Sequence, residues 1–419
     1  MNSMIRKSTA WLAAAILLLC TAGGIAQTAT EAEEINVPVI DGMKTFEIPD
    51  NEAMAFVRDM MCGWNLGNTF DAYSDYTTFV RGLILDNWYG SRTEFEKIWV
   101  GAITTEELID AVCKAGFKTI RIPVSWHNHA DPENEYRIDA EWLARVREVA
   151  EWALEREMYV IVNVHHDNDV QFFYPDREHL EQSKVYLSAI WKQMAEAFAD
   201  CDEHLILEAM NEPRLVGTDN EWYWTEDSPA CLEAAECINE LNQLFVDTVR
   251  ATGGNNALRY LSVPAYDAAP WYAVHETFRL PKDTADNRII VAAHAYSPYD
   301  FALNVNSTDI TFDLDTEPEK KAEISGFLGS LYDRFVAQGI PVVMDEFGAL
   351  DKDGNTQARV NFTAYYVAAA SARGITCVWW DNNLFKGEGE RFGLIDRKTV
   401  SWTYPEIVQA IMQNCQYHR

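Results

Sequence analysis

The chain has 419 residues, 48% of them hydrophobic, and a formal net charge of −31. This apolar content is enough to bury a large core, which excludes an intrinsically disordered chain. The acidic surface would repel phosphate backbones and therefore argues against nucleic acid as a partner.

The first 26 residues have the pattern of a secretory signal peptide. Arg6 and Lys7 precede the apolar run WLAAAILLLC, and the small residues of TAGGIAQ follow it, which predicts cleavage at about Gln27. The apolar run is shorter than the roughly 20 residues of a membrane span. A secreted or periplasmic protein is therefore expected, and Cys20 leaves a lipid anchor on the outer surface as an open alternative.

Residues 27–50 are polar and acidic at first and are predicted to be an exposed N-terminal lead-in, and residues 51–419 a single catalytic domain. Cleavage after Ala26 leaves seven cysteines. An odd number in a large exported chain argues against a disulfide framework, and no spacing of cysteines or histidines matches a zinc site. We expect neither a structural metal nor a cofactor, and we expect a monomer.

Short apolar runs alternate with amphipathic helical stretches through the domain, and this alternation predicts parallel strands. The eight strand candidates are 62–68, 117–124, 158–166, 205–212, 259–265, 288–296, 340–348 and 375–382. The helix candidates are 104–115, 139–156, 181–200, 231–252, 270–279, 319–338, 356–373 and 404–415.

Eight such units predict an α/β fold of the (β/α)8 TIM-barrel class with a single catalytic domain. An open, doubly wound sheet could also use eight short apolar strands. No GxGxxG follows the first strand and no P-loop is present, so nucleotide binding lacks its sequence signature.

Polar side chains concentrate at the carboxyl ends of these strands, which is where a barrel of this class carries its chemistry. Chance would scatter such residues along the strands. The candidates are Asn65, Asn68, Arg121, His165, His166, Asn211, Glu212, His294, Tyr296, Glu346 and Trp380.

Two of these residues are carboxylates, Glu212 and Glu346, and both follow apolar runs. Glycoside hydrolysis needs such a pair, since one carboxyl group must protonate the leaving oxygen and the other must attack the anomeric carbon or activate water. Arg121 on the second strand would keep a nucleophile ionised. Each glutamate taken alone is also compatible with a salt bridge at a strand end, with Asp345 as an exposed companion of Glu346.

The stretches GWNLGNTFDAY, RIPVSWHNH, VIVNVHHD, EAMNEPRLVGT, HAYSPYDF, VMDEFG and CVWWDN resemble glycoside hydrolase family 5, especially its subfamily 4 of β-glucan-cleaving enzymes. The resemblance covers nearly the whole mature chain, and the motifs occur in the family's order. It implies a retaining mechanism on a (β/α)8 barrel, with no cofactor and with a β-glucan polysaccharide as the partner.

By motif, the resemblance implies that Glu212 is the acid/base and Glu346 the nucleophile. It implies substrate-binding roles for a surrounding set, in which the HH and WW pairs each allow the register to slip by one residue. That set is Arg121, His165, His166, Asn211, His294, Tyr296, Trp380 and Asn68. Phe70 departs from the subfamily, which usually has Leu there, without affecting a catalytic position.

Two predicted loops are rich in aromatic side chains, some of which should stack on sugar rings along an open cleft. We expect at most a third of them to contact substrate, the others closing the loops onto the barrel. They are Phe70, Tyr73, Tyr76, Phe79, Trp88, Tyr89 and Trp99 after the first strand, and Trp222, Tyr223 and Trp224 after the fourth.

Long loops on this face of the barrel favour an open polymer cleft and endo action. The resemblance to subfamily 4 implies that the substrates are β-1,4-linked glucans, whether cellulose-type chains, mixed-linkage β-glucan or xyloglucan. A family 5 mannanase, xylanase or exo-glucosidase is the alternative among enzymes. A metal-dependent hydrolase would use the same histidines and carboxylates, but no HxH or HExxH spacing supports it. A non-catalytic carbohydrate-binding protein on the same scaffold would be expected to lack one of the two glutamates.

Overall fold

The computed structural model describes residues 34–74 and 92–417, with the side chains of residues 92–94 excepted. From Ile35 onward the chain forms one compact unit. The predicted signal peptide and Cys20 lie outside the described residues, so that prediction is not tested. Tyr76, Phe79, Trp88 and Tyr89 lie outside them as well.

Eight parallel strands close into a barrel, each pairing with the next along the chain and the eighth pairing with the first. The barrel confirms the predicted fold class. Its strands are β1 (Cys62–Leu66), β2 (Thr119–Ile122), β3 (Tyr159–Val162), β4 (Leu205–Glu208), β5 (Leu261–Pro264), β6 (Ile289–His294), β7 (Val342–Phe347) and β8 (Thr376–Asp381). Two short antiparallel pairs lie outside the barrel, joining residues 130–131 to 137–138 and 395–396 to 401–402.

Helices surround the barrel, and several begin at side chains that cap the free backbone N–H groups of the first turn. Asn51, Thr105, Asp139 and Ser228 serve as such caps. The helices are α1 (Glu52–Asp59), α2 (Glu106–Lys114), α3 (Ala140–Leu154), α4 (Leu180–Ala197), α5 (Pro229–Ala251), α6 (Pro270–Ala273), α7 (Tyr299–Ala302), α8 (Pro318–Arg334), α9 (Thr356–Ser371) and α10 (Pro405–Asn414).

Helix α1 closes the amino-terminal end of the barrel and was not expected from the sequence. Phe56 stacks on Tyr260 with ring centroids 3.7 Å apart. The first residues of two strands are joined to α1 through hydroxyl groups, because Thr119 donates to the carbonyl of Met60 at 2.8 Å and Thr376 donates to that of Val57 at 2.6 Å. Helix α1 therefore covers the end of the barrel opposite the carboxyl ends of the strands.

The segment that precedes α1 is fastened to the last helix. Asn414 of α10 accepts the N–H of Ile40 at 2.9 Å and donates to the carbonyl of Pro38 at 3.0 Å. The hydroxyl of Tyr417 accepts the N–H of Met43 at 2.6 Å. The described part of the predicted lead-in is thus packed against the domain.

Strand β7 carries a register irregularity where it approaches the carboxyl end of the barrel. Ala293 of β6 pairs with Met344, but the next residue, His294, pairs with Glu346, so Asp345 is an extra residue on β7. A bulge of this kind re-aims side chains that would otherwise alternate between the two faces of the strand. It allows Asp345 and Glu346 to face the same side.

No helix among the described residues is long and apolar enough to cross a membrane. The seven cysteines within the same part of the chain are all free thiols, so a disulfide framework plays no part in holding this domain together.

Candidate active site

The guanidinium group of Arg121 is at the centre of the polar cluster inside the barrel mouth. It forms a two-pronged pair with Glu208, with Nε–Oε2 at 2.8 Å and Nη2–Oε1 at 2.7 Å. Nη1 donates to Glu346 Oε1 at 2.6 Å, and Nη2 donates to Asn211 Oδ1 at 2.7 Å. Since Asn211 accepts with its oxygen, its amide nitrogen remains available as a donor to a ligand.

Glu346 is held by two donors, one on each carboxylate oxygen. Arg121 contacts Oε1, and the hydroxyl of Tyr296 donates to Oε2 at 2.8 Å. The residue is buried, with 4% of its surface exposed. Both donors are placed to compensate negative charge on this carboxylate.

Glu212 lies four residues beyond the end of β4 and is held by a histidine. His294 Nδ1 is 2.7 Å from Glu212 Oε1, and its Nε2 is 3.2 Å from Asp345 Oδ1. One oxygen of Glu212 and one of Glu346 lie within 4.8 Å of each other, with a nitrogen of His294 also in that range. Because this bound applies to the nearest oxygens, the two carboxyl groups lie somewhat farther apart, which fits the separation of about 5–5.5 Å in retaining glycosidases better than about 6.5–9.5 Å in inverting ones.

The His294 imidazole between these carboxylates is charged. Burial alone would lower the pKa of His294, but Glu346, Asp345 and Glu212 outweigh burial and raise it well above 6.5. Burial likewise favours a higher pKa for Glu212, yet the hydrogen bond and charge of His294, together with Arg214, lower that pKa to about 2. In the free protein the proton shared by Glu212 and His294 therefore resides on the imidazole.

Glu208 is a third carboxylate of the cluster that reasoning from the sequence did not single out. It lies within β4 and is fully buried. Burial raises its pKa to about 7, and the charge of Arg121 opposes that rise. The available signal was a charged residue inside the otherwise apolar run LILEAM, matched by Arg121 inside β2. Asp345, considered as an exposed companion, is instead completely buried.

His165 and Trp380 form one wall of the site. Their rings are parallel, 2° apart in plane, with centroids separated by 5.7 Å. Burial lowers the pKa of His165 well below 6.5, and nearby cationic groups lower it further. Trp379 belongs to the core instead, where its indole N–H donates to the carbonyl of Phe392. Of the two adjacent tryptophans, it is thus Trp380 whose ring lies beside His165.

His166 and Asn68 both lie next to Asp71, and among the described residues no hydrogen bond joins either of them to Glu212 or Glu346. His166 Nε2 is 3.8 Å from Asp71, and its ring packs against those of Tyr73 and Trp99. The backbone N–H of Asn68 donates to Asp71 at 3.0 Å. Burial lowers the pKa of His166 to about 4 and raises that of Asp71 to about 7.

The described loop aromatics differ in burial, and Tyr73 is half-buried. Phe70 and Trp224 are buried and pack their loops onto the barrel, whereas Trp99, Trp222 and Tyr223 are exposed. The Trp222 ring covers the guanidinium of Arg214 at 3.9 Å, and Arg214 Nη1 is 3.4 Å from Glu212 Oε2. Arg214 thus connects the exposed indole of Trp222 to Glu212, the candidate acid/base.

Three groups of side chains in the described part of the chain have the composition of a metal site. They are Asp71 with His165 and His166, Glu208 with His294 and Asp345, and Glu212 with His294 and Glu346. In the second and third groups the carboxylates already face the guanidinium of Arg121 and the charged imidazole of His294. Those cations already compensate the negative charge of the same oxygens.

A family model described as cellulase, glycosyl hydrolase family 5, matches residues 73–386. Among curated proteins, the chain is 40% identical to Endoglucanase B of Neocallimastix patriciarum over 357 residues, which is 85% of this chain and 70% of that protein. It is 37% identical to Endoglucanase A of Ruminococcus albus over 378 residues, covering 90% and 96% of the two chains.

Solved structures with the same architecture include a family 5 lichenase from Caldicellulosiruptor sp. F32. The TM-score is 0.86 at 49% identity, covering 91% of this chain and all of that one. A broad-specificity endoglucanase of subfamily 4 from Ruminococcus champanellensis, with bound cellotriose, gives a TM-score of 0.77 at 41% identity, covering 88% of this chain and all of the other.

Proposed function

Because the chain belongs to glycosyl hydrolase family 5, we propose that Glu212 and Glu346 perform its reaction, the endo-acting cleavage of β-1,4-linked glucans with retention of configuration. The observation that carries this assignment is the approach of the two carboxylates to within 4.8 Å. Arg121 and Tyr296 hold Glu346, whereas His294 and Arg214 hold Glu212. This difference in partners distinguishes the nucleophile from the acid/base.

In the first step Glu346 attacks the anomeric carbon while Glu212 protonates the departing glycosidic oxygen. Arg121 and Tyr296 hold the attacking carboxylate of Glu346 in place through their hydrogen bonds. The proton that Glu212 transfers comes from the site it shares with His294, so the two residues act as one acid. The C–O bond to the leaving chain breaks, and a covalent glycosyl-enzyme forms.

In the second step Glu212 acts as a base. It removes a proton from a water molecule, which attacks the anomeric carbon and releases Glu346. The amide nitrogen of Asn211 faces the site as a donor, because its oxygen accepts from Arg121. A hydrogen bond from this nitrogen to a sugar hydroxyl would strengthen as charge develops in the transition state.

The proposed substrates are soluble or amorphous β-1,4-glucans, including mixed-linkage β-glucan. Support comes from two relatives, one described as a lichenase and the other as a broad-specificity endoglucanase. The exposed Trp99 packs against His166, and the exposed Trp222 lies on Arg214. Both therefore provide flat faces beside residues of the site, which suits a polymer lying across it. Xyloglucan is proposed as an additional substrate.

We place the protein outside the cytoplasm, secreted or periplasmic, with a lipid anchor at Cys20 as the alternative. The basic residues, apolar run and small residues of positions 1–26 support this proposal. Mass spectrometry of the protein from its native host would distinguish a free chain that starts at Gln27 from one that starts with a lipidated Cys20.

The assignment of the two glutamates is tested by Glu346→Ala and Glu212→Ala, assayed on carboxymethyl cellulose, mixed-linkage β-glucan, xyloglucan and mannan. Both variants should lose at least about 1000-fold in activity on the glucans. Azide should restore cleavage of an activated aryl cellobioside by Glu212→Ala with a β-linked product, because the small anion attacks the glycosyl-enzyme without needing a base.

Glu226→Ala is a matched control, since Glu226 is an exposed glutamate that contacts His275 at 3.3 Å. This variant should keep wild-type activity. Retention of most activity by Glu346→Ala would exclude Glu346 as the nucleophile. Product analysis by chromatography distinguishes endo action, which gives oligosaccharides of several lengths at early times, from exo action.

A further inference from the structure

Beneath the wall of the site, one asparagine connects the buried Glu208 to His165. The Asn163 amide nitrogen lies 3.0 Å from Glu208 Oε1 and 3.1 Å from His165 Nδ1. Its amide oxygen accepts the backbone N–H of Val124 at 3.0 Å. Asn163 is fully buried, and His165 has 4% of its surface exposed.

The direction of each hydrogen bond in this group is fixed by chemistry. The Val124 N–H can only donate, so the amide atom that faces it must be the oxygen of Asn163. The amide nitrogen of Asn163 therefore faces both Glu208 and His165, and it has one hydrogen for each. Because an amide nitrogen does not accept, His165 Nδ1 must be the acceptor.

Glu208 makes the reverse arrangement of the amide unfavourable. Both of its oxygens accept hydrogen bonds from Arg121. The oxygen nearest Asn163 therefore presents lone pairs and is stabilised by a donor, whereas another oxygen there would be repelled. A flipped amide would place two oxygens against each other at Glu208 and leave the Val124 N–H facing an NH2 group. The carboxylate that pairs with Arg121 thus also fixes the orientation of Asn163.

From this geometry we propose that Asn163 is a positioning residue that holds His165 in its Nε2–H tautomer. The imidazole then donates to a hydroxyl of the glucosyl residue bound beside Glu346. This inference rests on the proposed function for the substrate, but the tautomer is a property of the free protein. His165 Nε2 and the amide nitrogen of Asn211 are then both donors to the sugar. A sugar hydroxyl that accepts from one of them can direct its own hydrogen toward a carboxylate.

The imidazole remains neutral over the working range of pH, which makes its tautomer decisive. Burial lowers the pKa of His165 well below 6.5, and the nearby His166, Arg121 and His294 add to this effect. A neutral ring donates from one nitrogen only. If Nδ1 carried the hydrogen, Nε2 would become an acceptor and the hydrogen bond to the substrate would reverse.

The direct test is nitrogen NMR of full-length protein labelled with 15N-histidine, with His165 assigned by comparison with His165→Gln. The wild type should show protonated Nε2 and unprotonated Nδ1 at this residue from pH 5 to 8. A His165 spectrum with protonated Nδ1 would overturn the proposal, whatever the activity of the protein.

The kinetic test compares Asn163→Asp with Asn163→Ala on cellopentaose. Asn163→Asp replaces the donor by an acceptor, so protonated Nδ1 should appear in the spectrum and kcat should fall about 100-fold, with KM within about threefold. Asn163→Ala leaves the tautomer of His165 unfixed but does not impose the other tautomer, so its kcat should fall only about 10-fold. If either folded variant keeps its kcat within twofold of the wild type, the proposal is wrong.

Asn242→Ala is the matched control for loss of a buried amide. Asn242 is fully buried and donates to the carbonyl of Pro264 at 2.9 Å. This variant should lose thermal stability to a similar extent while keeping wild-type kinetics and the His165 spectrum. If the wild type shows the expected tautomer but cleaves no glucan, the proposed function fails while the positioning role of Asn163 stands.

Discussion

Arg121 sets the electrostatics of the site at the scale of single residues. Its guanidinium contacts Glu208 and Glu346 directly, and its Nε is 3.9 Å from Asp345. Without the Arg121 cation, the three carboxylates around it would repel one another strongly, because charge interactions are weakly screened in the protein interior. Its replacement by lysine would lose the planar fork that reaches several oxygens at once.

His294→Asn tests the shared proton by its effect on the pH profile. In the wild type, activity needs one proton on Glu212 and His294 together, and that proton is lost as pH rises through a pKa well above 6.5. Without the imidazole the proton belongs to the Glu212 carboxyl alone, whose pKa lies nearer the ordinary carboxyl range. The alkaline limb of kcat/KM on mixed-linkage β-glucan should therefore move to lower pH.

The control for this profile is His275→Asn, because His275 is remote from the cluster and contacts Glu226 and Thr277. Its alkaline limb should match that of the wild type. An unchanged limb in His294→Asn would mean that another group supplies the proton that Glu212 transfers.

At the scale of elements, the bulge in β7 explains what the sequence could and could not predict. Apolar runs ending in polar residues predicted the eight strands and the barrel, and the structure confirms both. Alternation along a regular strand would send Asp345 and Glu346 to opposite faces. A one-residue shift of register against His294 has no sequence signature, so the burial of Asp345 in the cluster could not be foreseen.

Glu208 and Asn163 were overlooked for a related reason. Both lie on buried strands or at their ends and act by hydrogen bonds to other side chains, so only the three-dimensional pairing with Arg121 and His165 reveals them. The roles assigned to Glu212 and Glu346 rest on motif and geometry and stay predictions until the variants are measured.

The loop after β4 is expected to bind the sugar of the leaving chain through Trp222. The Trp222 ring lies on Arg214, which contacts Glu212. Trp222 itself has 61% of its surface exposed. Trp222→Ala should raise KM for cellopentaose about 10-fold through lost stacking. Cleavage of cellobiosyl fluoride should be nearly unchanged, because fluoride leaves without a sugar on that side.

Tyr223→Ala controls for this change, since Tyr223 is the next residue and is 70% exposed. It should leave KM for cellopentaose close to the wild-type value. An equal loss on cellobiosyl fluoride in Trp222→Ala would show that the indole acts on the glycone side or on folding instead.

At the scale of the whole molecule, the buried acids make stability depend on pH. Burial raises the pKa of Asp71 and Glu208 to about 7, above their values in the unfolded chain. Between those values the native state binds more protons, so their stabilising contribution is present at low pH and is lost as pH rises through about 7. His294, with its raised pKa, acts in the same direction.

The lowered pKa values of His165 and His166 act oppositely, but only below about pH 6.5. The free energy of unfolding measured with urea should therefore fall between pH 6.5 and 8, by up to about 1.4 kcal/mol per pH unit for each proton released. Asp71→Asn should reduce that slope. A slope equal to that of the wild type would show that Asp71 is already ionised at pH 6.5.

Helix α1 covers the amino-terminal end of the barrel, so the domain has one face that carries the carboxylates and an opposite face that is closed. The segment before α1 is fastened to α10 by Asn414 and Tyr417, and α1 itself seals the end of the barrel remote from the carboxylates. A tether attached at the exposed Asp59 of α1 would thus hold the enzyme by the face opposite the carboxylates and leave the cleft pointing away from the support. Immobilised through that end, the enzyme should digest polymers too large to pass between it and the support.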